Sequence, residues 1–84
     1  MRNRDEVKAV LENAFRKKFP KDTVDLSDGY QSNIHVLIVS RSFDGMSEKD
    51  KQDILWSVID ATELNDTEKA LISLVYPVSP AEVK

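Results

Sequence analysis

Only a few side chains in this sequence have the chemistry to act on a substrate. There is one histidine, His35, and there is no cysteine, so a nucleophilic thiol and a thiolate metal cage are both excluded. Ser40 and Asp25 are the residues that a hairpin could bring near His35 to make a hydrolytic triad. A lone strand histidine among apolar neighbours is more simply a surface or cross-strand packing residue, and that is the reading we adopt. Asp50, Asp53, Asp60 and Glu63 recur along one segment at spacings that follow the solvent face of a helix, so hydration explains them. Gly29 and Gly45 each stand alone, without the spacing of a phosphate-cradling loop. One histidine cannot supply the three or four ligands of a zinc or iron site, and no segment repeats the oxygen-ligand spacing of a calcium loop. The expectation is a protein without catalytic, metal or cofactor residues of its own.

Binding surfaces are the alternative. Gln52 and Trp56 lie four residues apart and share one face of a helix, with Lys49 and Lys51 as bordering donors. Aromatic side chains with a polar handle are enriched at protein interfaces, which makes this set the candidate partner-binding site. The competing reading places Trp56 at the edge of the core. A second candidate is basic. Residues 1–21 carry seven basic and three acidic side chains, the remainder five and twelve. Arg16, Lys17, Lys18 and Lys21 fit either a nucleic-acid contact or cations that complement the C-terminal dipole of a helix, and the dipole reading is favoured. The net charge of −3 opposes sequence-independent binding to a phosphate backbone.

The elements that position these residues follow from periodicity. With 84 residues, of which 40% are hydrophobic and 32% charged, residues 1–84 are expected to form a single soluble domain. No apolar run reaches the roughly 20 residues needed to span a bilayer, so a cytoplasmic location is expected. A helix is predicted over 4–18, with Val7, Val10, Leu11, Ala14 and Phe15 on one face, Asn3 and Glu6 as a capping box, Pro20 as its end, and Phe19 tucked under the sheet. Val24 and Leu26 alternate with polar residues in a first strand, and Asp28-Gly29 opens a turn. The second strand, 34–40, is apolar on both faces and suits a central position. Asp44-Gly45 makes a further turn, and Ser47 with Asp50 starts a second helix over 48–62 whose buried stripe is Ile54, Leu55, Val58 and Ile59, continued by Thr62. Asp66 or Thr67 caps a short turn. A third strand over 70–76 then pairs parallel with the second. Ser79-Pro80-Ala81-Glu82 predicts a last helical turn. The expected fold is α+β: helix, strand, strand, helix, strand, with a three-stranded mixed sheet packed by helices.

The run Ile38-Val39-Ser40-Arg41-Ser42-Phe43-Asp44-Gly45-Met46-Ser47 resembles the signature of the BolA family, an apolar strand ending in serine and a Phe-x-Gly-x-Ser turn into the second helix. Leu55 and Ile59 as helix anchors, Ala70-Leu71 opening the third strand and Pro80-x-Glu82 near the terminus extend the resemblance over residues 24–83. It implies a fold related to the class II KH arrangement, and a non-enzymatic partner of monothiol glutaredoxins that shares a bridged [2Fe-2S] cluster. Alternatively, it implies a transcriptional regulator tied to stress and cell shape. The family's Arg-His pair falls on Lys51-Gln52 and a further family histidine on Lys69. None of Asp28, Gly29, Tyr30, Gln31, Ser32 or Asn33 supplies the Cys or His of the loop between the first two strands. His35 is nearby but occupies neither position. The amide of Gln52 is a poor iron ligand beside an imidazole, so the expectation is a module that docks a glutaredoxin-type partner through the second helix around Lys51, Gln52 and Trp56, without a conventional cluster.

Overall fold

A computed structural model describes residues 2–28 and 33–82; the turn expected at Asp28-Gly29 and the loop through Ser32 lie outside them, apart from Asp28 itself. Helix α1 spans Arg4–Lys18. It begins where it should, because the Asn3 side chain accepts from the Glu6 N–H at 2.9 Å and the Glu6 carboxylate accepts from the Asn3 N–H at 3.2 Å. Val7, Leu11 and Phe15, each four residues apart, are its buried side chains. The helix ends at Phe19, whose N–H donates to the Phe15 carbonyl at 2.8 Å; Pro20 disfavours helical geometry at the residue before it.

Strands β1 (Thr23–Asp28), β2 (Ile34–Val39) and β3 (Ile72–Val78) form one sheet in that order. β1 and β2 are antiparallel, with Asp25 opposite Leu37 and Ser27 opposite His35. β2 and β3 are parallel, with an irregularity after Ile34 that lets β3 step past Ser73. The central position expected for β2 is therefore observed. Ile34, Val36 and Ile38 are buried against the helices, together with Val24, Ile72 and Val75 from the other strands. His35, Leu37 and Val39 point to the opposite face. That face also carries the exposed Leu74 and Tyr76.

The link from β2 to the second helix is held by Phe43 and Gly45. Phe43, in a short 3-10 turn over Arg41–Phe43, is buried, and its ring lies 5.6 Å from that of Phe19 in a tilted contact. Gly45 has φ +76°, and a Cβ there would meet nothing within 4 Å. Backbone conformation, not space, thus requires glycine at this turn.

Helix α2 spans Glu48–Asp60, with the Ser47 hydroxyl accepting from the Asp50 N–H at 3.1 Å. It is two residues shorter than periodicity implied. Both the N–H and the hydroxyl of Thr62 bond to the Ile59 carbonyl, which draws the chain out of the helical ladder. Its buried stripe is Lys51, Leu55 and Ile59, while Ile54 and Val58 are half-buried on one flank.

Helix α3 is a single turn over Asp66–Lys69. Its cap is Asn65, not Asp66 or Thr67: the Asn65 side chain accepts from the Glu68 N–H at 2.8 Å and the Glu68 carboxylate accepts from the Asn65 N–H at 2.9 Å. That box satisfies two helix-end donors at once, which a cap one residue later would not. Ala70 and Leu71 close the turn through N–H bonds to Asp66 and Glu68, so β3 starts and ends two residues later than expected. Pro77 is tolerated in β3 because an edge strand has one row of donors with no neighbour. A 3-10 turn over Pro80–Glu82 follows. Contacts place α1 beside β1 and α2 beside β3.

Candidate partner-docking site

The outer flank of α2 lies above β3. Gln52 fixes it there: its Nε2 donates to the Val75 carbonyl at 2.8 Å, a bond between residues 23 positions apart. One turn on, Trp56 is half-buried, packed against the edge of the core with the rest of the indole reaching solvent. Trp56 combines the two readings of the sequence, since it is a core edge and also an accessible aromatic. Lys49 is exposed, and its ammonium contacts the Asp53 carboxylate at 2.9 Å. That hydrogen bond, with the charge of the same carboxylate, raises the Lys49 pKa above its ordinary value.

Lys51 differs from its neighbours. Its side chain is only 3% exposed and its ammonium pairs with Glu48 at 2.8 Å. The aliphatic stem fills a core position while the charged end reaches the rim, so the outer flank presents Lys49, Gln52 and Trp56 with Lys51 beneath them. An indole, an amide held by its nitrogen and an exposed cation paired with Asp53 make a surface that can take an apolar anchor and a few hydrogen bonds. It offers no group poised for proton transfer.

Of the two positions that the BolA resemblance assigns to cluster ligands, the loop between β1 and β2 lies outside the described residues over 29–32, and position 52 does not fit an iron-sulfur cluster. Gln52 carries an amide already committed to Val75. Lys69, where the resemblance has a further histidine, pairs its ammonium with Asp60 at 3.2 Å. Among the described residues no three His, Cys, Asp or Glu side chains converge on a metal position. His35 points to the face of the sheet away from the helices.

The other candidates are also dispersed. Ser27, not Asp25, is opposite His35. Ser40 is buried with its Oγ accepting from the Ser42 N–H. Ser40 is five positions from His35 along extended chain and so on the opposite face, and the triad is not assembled. Asp53, Asp60 and Glu63 are exposed and pair with Lys49, Lys69 and Arg2. Arg16, Lys17 and Lys18 occupy the last turn of α1 and Lys21 the loop after it. All four are exposed, and Arg16 pairs with Glu12 at 3.0 Å.

Glu68 was not anticipated. Its side chain is buried and accepts from the backbone N–H groups of Asn65 and of Arg2, the latter at 2.8 Å. These bonds, the one from Asn65 foremost, hold its carboxyl below the ordinary value of 4.5. The spacing Asn65-x-x-Glu68 was the available signal. Because the folded value is depressed, the stability this group contributes is complete above about pH 4.5 and is lost as pH falls through the folded value. Glu68→Gln should lower the melting temperature at pH 7, and the gap to the unaltered protein should close as the pH drops below 4.5. Parallel melting curves at all pH values would contradict the clamp.

No protein-family model matches the sequence, and no curated protein does. Among solved structures, the NMR structure of a BolA-like hypothetical protein from Rickettsia prowazekii is similar, with a TM-score of 0.62 at 19% sequence identity, over 84% of this chain and 91% of that one. The arrangement of α1, the mixed sheet and α2 is thus a BolA-like α+β fold.

Proposed function

We propose that the protein is a non-enzymatic interaction module acting in the cytoplasm, which docks a protein partner of the monothiol glutaredoxin type through the α2 flank. The observation that carries this reading is the half-exposed Trp56 beside an amide tied to Val75, next to the exposed Lys49, on a BolA-like scaffold. A rigid aromatic anchor with polar neighbours is the usual composition of an energetic centre at an interface. The loss of imidazole at position 52 makes the complex one of protein–protein contact first, with iron-sulfur regulation dependent on ligands from the partner. Calorimetric titration with a purified monothiol glutaredoxin tests it, and no heat or saturation at high partner concentration would refute it.

Gln52→Val and Gln52→His separate the roles of this residue. Valine removes the tie to Val75 and should weaken the complex by loosening α2 over β3. Histidine can donate one ring N–H to the Val75 carbonyl and leave the other ring nitrogen free as a metal ligand. Mixed with the glutaredoxin under cluster-loading conditions, Gln52→His should raise the visible cluster absorbance. An unchanged spectrum would count against the correspondence of position 52 with the family's histidine.

The second reading, a nucleic-acid-binding regulator, is supported by the exposed cations Arg16, Lys17 and Lys18 in the last turn of α1 and Lys21 in the loop after it. Anisotropy with mixed oligonucleotides decides it, since binding there must weaken steeply with salt.

A further inference from the structure

The side of α2 away from the docking flank faces α1, and the two helices leave a groove between them of about 670 Å³. Val58 is about 200° of helical rotation from Trp56, so the two surfaces do not overlap. Val10 and Ala14 from α1 and Val58 and Ala61 from α2 form the floor, and Lys17 and Lys18 stand on its rim. The groove is open rather than enclosed, and the two alanines keep its floor low enough for close approach of another helix.

The charge around this groove is not balanced. Glu63, the acidic residue that lines the groove, is occupied by Arg2 at 2.7 Å, and Glu12, outside it on α1, by Arg16 at 3.0 Å. Asp60 is occupied by Lys69. Lys17 and Lys18 have no ion-pair partner among the described residues. A chain with net charge −3 therefore presents here an apolar trough whose lysine rim faces no carboxylate partner among the described residues.

We infer that this groove docks an acidic amphipathic helix of another protein, with its apolar stripe on Val10, Ala14, Val58 and Ala61 and its carboxylates against Lys17 and Lys18. An apolar floor flanked by charge is the geometry of helix-in-groove recognition. Two lysines beside an apolar floor suit carboxylates on a helix better than the continuous phosphate track of a nucleic acid, which needs a broad basic surface. The inference does not depend on the glutaredoxin reading, because the other flank of α2 carries that one.

The test uses a fluorescein-labelled helical peptide of about 15 residues, with leucines at three- and four-residue spacing and glutamates beside them. A version with lysine at every glutamate position and a single-stranded oligonucleotide serve as competitors. The acidic peptide should bind saturably to the full chain, and the double variant Lys17→Glu with Lys18→Glu should weaken it about tenfold. Raising the salt should weaken binding to the unaltered protein, and Ala14→Trp should block the floor. The lysine pair is exposed, so that double variant is expected to fold, and circular dichroism confirms it. Absence of saturation at millimolar peptide, equal binding of the lysine version, or tighter binding of the oligonucleotide would each overturn the inference.

Discussion

Phe43→Ala should destabilise the protein by about 3–5 kcal/mol, the usual cost of removing a buried aromatic ring. Phe43 is 1% exposed and rests on Phe19, so its ring joins the end of α1 to the turn that launches α2. An 84-residue domain has roughly 4–13 kcal/mol of stability in total, and this one substitution uses a large share of it. Urea unfolding should show a much lower midpoint with little change in slope. Asp44→Ala, one residue along and exposed, should stay within about 0.5 kcal/mol of the unaltered protein. A cost below about 1 kcal/mol for Phe43→Ala would mean that the turn is held by something else.

Trp56→Ala should weaken glutaredoxin binding by about thirtyfold, as expected when truncation of a central aromatic costs about 2 kcal/mol. The indole is half-buried, so some stability is lost as well, and the two effects must be separated. Binding measured well below the melting temperature, with circular dichroism confirming the fold, isolates the interface effect. Thr23→Ala, on the opposite side of the sheet, is the control and should bind normally. Unchanged affinity of Trp56→Ala would make the residue a core edge and nothing more.

Most of the fold was legible because its signals are local. Asn3 and Glu6 mark the start of α1, Pro20 marks its end, and the double-faced apolar pattern of residues 34–39 places β2 in the middle of the sheet. The errors have local causes too. A hydrophobic stripe drawn from residue types passes over Lys51, since a lysine stem can fill a core position that its charge seems to forbid. Asp66 and Thr67 are both residue types that suit a cap, but the reciprocal pairing of Asn65 with Glu68 places the cap one residue earlier than either.

The candidate site was legible only as a set of residue types. Gln52, Trp56 and Lys49 were identifiable from helical spacing, but nothing in the spacing tells that Gln52 reaches Val75, because that bond depends on how α2 settles over β3. The inward path of Lys51 and the N-terminal clamp from Arg2 to Glu68, 66 positions apart, depend on tertiary packing in the same way. The groove between α1 and α2 is likewise invisible in the sequence, since its floor and its rim come from two separate helices.

The most direct measurement is a nitrogen–proton correlation spectrum of the labelled protein, recorded as unlabelled monothiol glutaredoxin is added. The largest changes should fall on the amides of Lys49, Gln52 and Val75 and on the indole N–H of Trp56, with Lys17 and Lys18 little affected. If the spectrum is unmoved at saturating partner, or if the changes centre on His35, Leu74 and Tyr76 on the far face of the sheet, the α2 flank is not where this protein meets its partner.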